Sequence, residues 1–279
     1  MKTLDQLFQI NNGASEESPF LHADWPAPPN VKTLITTRNG GVSGKPWNEA
    51  EGSKRAHFRQ YPFSWLNVGA HVGDDAAAVA ENRARVEAAT GLPLGYLNQV
   101  HGVTVVDAAD SVAEPLEADA SVNSDGRAAC AVMTADCLPV LFCDRAGSVV
   151  AAAHAGWRSL AGGVLQNTVA AMKVSPLEIM AYLGPAIGPD SFEVGEDVKQ
   201  AFCAADPDAE AAFEPLPPQD GQAKYLADIY RLARRILHRE GITQIYGGGR
   251  CTLLEWETFF SYRRDGQTGR MVSAVWLEK

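Results

Sequence analysis

The sequence predicts a single mixed α+β domain, and three observations support this. Segments with strand character and segments with helix character follow one another without a strict alternation, so a purely doubly wound sheet is not expected. No internal repeat with a period of about 20 to 50 residues runs through the chain, which sets solenoids and propellers aside. The chain has 279 residues, 46% of them hydrophobic, and that is enough to bury one large core. Residues 1–279 are therefore read as one domain.

The elements can be justified in order. A polar, proline-rich lead-in, SPFLHADWPAPPN at 18–30, gives way to VKTLITT at 31–37, a β-branched run that reads as a strand. Arg38 stands at its end, and TRNGGVSG at 37–44 reads as a glycine-bent loop. From Asp74 to Gly91 an alanine-rich stretch opens on two aspartates and closes on glycine, with Val79 and Val86 seven apart and Arg83 between them; this is a capped helix. Three short apolar runs follow at 128–133, 139–143 and 149–153, each with the form of a buried strand. One helix is expected from Trp157 to Lys173 despite Gly162 and Gly163. Another is expected over YLADIYRLARRILHRE at 225–240, where Leu226, Ile229, Leu232, Ala233, Ile236 and Leu237 make one apolar face. Further strands are expected at 179–183, 242–246 and 272–276. The acidic, proline-bearing stretch 203–224 reads as a surface connection.

Composition narrows the function. Twenty-four basic against 34 acidic residues give a formal charge of −10, which repels nucleic acid and anionic membrane surfaces and favours small-molecule partners. The first residues, MKTLDQLFQINNG, lack the features of a secretory leader. No run approaches the roughly 18 apolar residues of a membrane span. Five cysteines form an odd, sparse set, so reduced thiols and a cytoplasmic location are expected.

Three short motifs carry the chemistry: QVHG at 99–102, TADCLP at 134–139 and HAGWR at 154–158. They offer His101, Cys137 and His154, a His2Cys set suited to Zn²⁺ that leaves the fourth tetrahedral position for water or substrate. A metal there would act as a Lewis acid. Spacing alone does not join the three, because 101, 137 and 154 match no local metal-finger pattern. Cys130 and Cys143 fall inside predicted strands and read as core. His22, His57 and His238 read as surface residues, and His71, beside a helix cap, is left outside the metal shell.

These motifs, with TTRNGGVSG (36–44), LNVGAHVGDD (66–75), ENR (81–83), LGPAIGPDSFEVG (183–195) and FFSYRRDGQTGRM (259–271), resemble the multicopper polyphenol oxidase family, the laccase-domain or YfiH-like group, from about residue 31 to the C-terminus. The resemblance implies a layered α-β-β-α sandwich with mixed sheets and a zinc site at His101, Cys137 and His154. It also implies purine nucleoside phosphorylase activity on adenosine, inosine, guanosine and 5'-methylthioadenosine, together with adenosine deamination. One departure is visible: WNEAEGSKRAHFRQYPFSW at 47–65 stands where the family runs almost directly on, and is read as a solvated surface insertion that bears on the geometry around Asn67 and His71.

In the phosphorolysis so implied, arginine would hold phosphate as a bidentate, permanently charged partner. Arg83 is the first choice, with Arg38 and Arg158 as alternatives; Asn67 and His71 are substrate contacts, and Asp136 or a histidine is the proton shuttle for deamination. A rival is a metal-free cysteine hydrolase or amidase, with Cys137 as nucleophile and His154 as base, and the resemblance adds to it a role in editing peptidoglycan precursors. A true laccase is set aside, because a blue site plus a trinuclear cluster needs more imidazoles than six histidines offer. Cu²⁺ at the three-ligand site would still give weak phenol oxidation. A non-catalytic module would need a fourth ligand, from Asp136, His71 or Cys130.

Overall fold

The computed structural model describes residues 18–48, 50 and 52–279, so the leader MKTLDQLFQINNG lies outside the described residues. Its centre is set by three strands, Ala129–Thr134, Leu138–Asp144 and Val150–Ala155, buried at every position. A strand with no polar face has to be covered on both sides. Alternation then sorts the side chains into separate cores. Cys130, Val132, Leu141, Cys143, Val150 and Ala152 fill a core between two sheets. Leu138, Val140, Phe142, Ala151 and Ala153 point the other way, into a core shared with helices. Ala129, Ala131 and Met133 face a third core on the far side.

The first sheet has the strand order Phe20–Leu21, Val31–Thr36, Met271–Leu277, Ala129–Thr134, Leu94–Gly95, antiparallel except for the last pair. The second runs Gln244–Gly247, Ile179–Leu183, Leu138–Asp144, Val150–Ala155, Ala120–Asn123, Val105–Asp107, parallel at its two outer pairs and antiparallel within. The helix Ala76–Thr90 covers the first sheet through Val86, which packs with Leu34, Leu94 and Ala131. Val164–Met172 and Ile229–Arg239 cover the second through Leu165, Val169, Leu232 and Leu237. The result is a single α+β domain in four layers, α-β-β-α, with mixed sheets.

Four local expectations are corrected. The helix expected over 157–173 is two, Trp157–Gly162 and Val164–Met172, because Gly163 takes the left-handed conformation at φ 106 and ends the first. The stretch 203–224 is not a plain connection. It holds a 3-10 turn at Pro207–Ala212 and a strand, Phe213–Gln219, that pairs with Gln222–Ala227. Asp220 and Gly221 close that hairpin with φ 49 and 74, the Asp-Gly signature of a tight turn. The following helix begins at Ile229, where the Asp228 side chain accepts from the Arg231 amide. Finally, 47–65 is not a solvated loop. Lys54–Gln60 is a helix capped by Ser53, and it buries Phe58 and His57, which therefore leaves the set of surface histidines. Among the described residues no helix is long and apolar enough to cross a membrane, and all five cysteines are free thiols.

Candidate metal centre

Sheet register brings two of the three ligands together. His154 lies opposite Pro139 and Ala155 opposite Leu138, so Cys137, one residue before that strand, sits against the end of the His154 strand. His101 arrives from the loop after Leu97–Asn98 with φ 60, in the left-handed region that non-glycine residues seldom occupy. Asp136, beside Cys137, is strained in the same sense at φ 89. The ligand atoms of His101, Cys137 and His154 all lie within 4.8 Å of one another, and Cys137 Sγ is 3.7 Å from His101 Nε2. Tetrahedral zinc with ordinary bond lengths separates a sulfur and a nitrogen ligand by about 3.6 Å, so the donor set fits the ion. Gly156 is required here, because a Cβ on it would stand 2.8 Å from His101 Cδ2 and 2.9 Å from Cys137 Sγ.

Asp119, a fully buried residue that sequence reading missed, organises the site. One carboxylate oxygen receives His154 Nδ1 at 2.8 Å and the His101 amide at 3.0 Å; the other receives the amides of Gly102 at 2.6 Å and Val100 at 3.2 Å. The same residue's carbonyl accepts from the His154 amide at 2.7 Å. Holding Nδ1 turns His154 Nε2 toward the centre and fixes its tautomer, which is how a carboxylate supports a metal-binding imidazole. Burial pushes the Asp119 carboxyl up, but the hydrogen bonds from His154, Gly102 and Val100 outweigh it and keep the group ionised. Burial likewise opposes the Cys137 thiolate, yet the His154 charge and the hydrogen bond from His101 bring the thiol well below its ordinary range. His154 moves the opposite way, with burial outweighed by Cys137 and Asp119.

The centre lies between two cavities. One of about 380 Å³ is lined by His71, Gln99, Met133, Thr134, Tyr262 and Arg270 beside the three ligands. Another of about 260 Å³ adjoins His101 and Cys137 and is walled by Trp157, Ile187, Phe192 and Ile229, with Asp136, Arg158 and Arg263 among its polar residues. The side of the triangle formed by exposed His101 and half-buried Cys137 is thus open, while His154, 3% exposed, closes the back. A closed four-ligand shell does not form: Cys130 is sealed in the inter-sheet core, and the Asp136 oxygens accept from Thr252 Oγ1 at 2.6 Å and the Arg263 amide at 2.7 Å. His71 stays outside the triangle, its pKa lowered by burial and by the charges of Arg270 and Arg83.

The other sequence-predicted site residues separate. Arg158 stacks on Trp157 at 4.2 Å and edges the apolar cavity. Asn67 is fully buried, and its Oδ1 accepts from the amides of Gly69 and Arg270, so it holds Arg270 in place. Arg83 donates to the Val68 carbonyl and lies 4.0 Å over the Tyr96 ring, outside both cavities. Arg38 is buried on another face, described below. Tyr262, Arg263 and Arg270 were missed as site residues, although they lie in the quoted FFSYRRDGQTGRM block.

Fold and site together define a four-layer α+β protein with an open cluster of three donors, His101, Cys137 and His154, that could hold a metal ion. Residues 32–278 match the family model described as multi-copper polyphenol oxidoreductase laccase, and the chain belongs to this laccase-domain, YfiH-like family. It is 49% identical over 259 residues to a purine nucleoside phosphorylase of Pseudomonas aeruginosa, covering 93% of this chain and 98% of that one. It is 50% identical over 262 residues to the Escherichia coli purine nucleoside phosphorylase YfiH, covering 93% and 99%. Among solved structures, a Neisseria meningitidis protein superimposes with TM-score 0.85 at 60% identity over 94% of this chain and all of that one. YlmD from Geobacillus stearothermophilus does so with TM-score 0.77 at 28% identity, covering 95% and 98%.

Proposed function

We propose that this protein is a zinc-dependent purine nucleoside phosphorylase acting on adenosine, inosine, guanosine and 5'-methylthioadenosine, with adenosine deamination as a second reaction. The observation that carries the reading is the open His101–Cys137–His154 triangle, flanked by two cavities, the larger carrying Arg270 and the smaller walled by Trp157, Ile187, Phe192 and Ile229. The activity named for the relatives from Pseudomonas aeruginosa and Escherichia coli supports the same reading. Zinc, or Cu²⁺ in its place, would be held by the three side chains and would supply Lewis-acid polarisation of a substrate oxygen.

The chain's own residues divide the remaining work. The apolar walls Trp157, Ile187, Phe192 and Ile229 suit a purine, whose faces are apolar and whose edge is polar. Arg270, in the larger cavity beside the centre, is the phosphate ligand in place of Arg83, with Gln99, Tyr262 and His71 around it. A phosphate oxygen then bonds to C1' of the ribose as the glycosidic C–N bond breaks, and the bonding pair leaves on the purine. In deamination water adds at C6 and ammonia departs. Asp136 lines the apolar cavity, and each of its oxygens keeps a second lone pair, so it can take and return a proton there. Free thiols throughout agree with a cytoplasmic enzyme.

The test is to incubate metal-quantified protein with adenosine, with and without phosphate, and to identify the products. Ribose 1-phosphate and adenine should form only with phosphate, and inosine should form in either case. Absence of all three products would overturn the proposal. One observation also serves a second reading, an amidase acting on peptidoglycan precursors: the depressed Cys137 thiol lies 3.7 Å from His101. Covalent labelling of Cys137 by an electrophilic analogue, with activity surviving chelation, would favour that reading.

A further inference from the structure

A third concave site lies across the 252–270 segment from the metal centre. The short helix Tyr262–Asp265 separates them: Tyr262 and Arg263 line the cavities at the centre, whereas Arg264 and Asp265 line a cavity of about 400 Å³ on the other side. Arg38, Arg55, Arg59, Phe58 and Trp256 line it as well. Four arginines against one aspartate reverse, locally, the charge of a chain whose net is −10.

The arginines are not equivalent. Arg264 is answered, because its guanidinium grips both Asp265 oxygens and donates to the carbonyls of Thr252, Leu253 and Phe259. Arg38 is only 1% exposed. Its Nε donates to the Ser64 carbonyl and its Nη1 to the Trp256 carbonyl, while Nη2 has no partner among the described residues. Phe58 covers its guanidinium at 3.5 Å and Phe260 lies at 4.8 Å. Burial, and then the Arg264 charge, lower its pKa to about 9, so it remains a cation at neutral pH. Arg55 and Arg59 stand one helical turn apart on the exposed rim and form no ion pair among the described residues. Asp265 offsets part of the Arg38 charge but is itself gripped by Arg264, so a buried cation with a spare donor, beneath two exposed cations, gains from an entering anion.

We infer that this cavity is a binding site for a phosphate-class oxyanion, free or carried by a small monoester whose planar group packs on Trp256. Arg55 and Arg59 would meet the anion at the rim, and Arg38 would offer Nη2 from the floor. The geometry is independent of nucleoside turnover, so the inference stands or falls by binding alone.

The experiment is calorimetric titration of the zinc-loaded protein at constant ionic strength with inorganic phosphate and, separately, with adenosine 5'-monophosphate. Each is compared with the Arg55→Ala/Arg59→Ala double variant, whose exposed positions leave the fold intact as checked by circular dichroism. The wild type should show a saturable event that the double variant weakens at least tenfold. Equal affinity for the two probes would assign the site to the free anion, and tighter binding of the monophosphate would assign it to the ester. Either probe bound equally well by the double variant, or no saturable event beyond that variant's own, would overturn the inference.

Discussion

Two regions of this molecule bury charge, and they treat it in opposite ways. At the metal centre the His154 ring nitrogen facing away from Cys137 meets the Asp119 carboxylate, and that carboxylate is itself met by three backbone amides. Beneath the 47–65 segment, Arg38 is buried as deeply, but its support is two carbonyls and an aromatic cover, with one nitrogen unused. The first arrangement holds its side chains in the orientation a small cation would need. The second has desolvated a cation whose nearby carboxylate, Asp265, is already gripped by Arg264. The lesson is that burial alone does not identify a resident cofactor site; the identity of the groups that answer the buried charge does.

Substitutions break this comparison at different strengths. Cys137→Ala should have the largest effect, removing zinc from the purified protein and reducing nucleoside turnover to background; full activity in a metal-free variant would refute the zinc-centre account. Phe58→Ala should cost about 3–5 kcal/mol of stability in urea unfolding, because it uncovers Arg38 and opens a cavity, while zinc content stays unchanged. Zinc lost in parallel with stability would mean that the two regions are not independent. Asp119→Asn keeps the shape of the carboxylate and removes its charge, so zinc affinity measured against a chromophoric chelator should fall by about 10- to 100-fold. An unchanged affinity would show that His154 needs no such partner. Arg83→Gln should have the smallest effect: turnover should stay within about twofold, a change of ~0.5 kcal/mol, because Arg83 is occupied by Val68 and Tyr96 outside both cavities. A large rise in the KM for phosphate would return to Arg83 the role proposed for Arg270.

Legibility in the sequence follows the range of the interactions. The three central strands were readable because runs without a polar face have few other places to go, and the three clustered donors His101, Cys137 and His154 were readable as residue types within distinctive motifs. Asp119 was not, since its partners come from 100–102 and from 154, and nothing in its own neighbourhood marks it. The hairpin at Asp220–Gly221 carries a local Asp-Gly signal that the acidic, proline-rich composition around it masks. The helix break at Gly163 is equally local, carried by two adjacent glycines within an otherwise apolar helical pattern. The arginine cavity had no sequence signature, because Arg38, Arg55 and Trp256 meet only once the 47–65 segment folds back to bury Phe58.

The central claim is that the His101–Cys137–His154 centre drives phosphorolysis, and one titration tests it most directly. Zinc is returned to metal-stripped protein while phosphate-dependent release of adenine from adenosine is followed. The account predicts activity that rises with added zinc, saturates at one ion per chain, and is absent throughout the same titration of Cys137→Ala. Full turnover by the stripped protein before any zinc is added would contradict it.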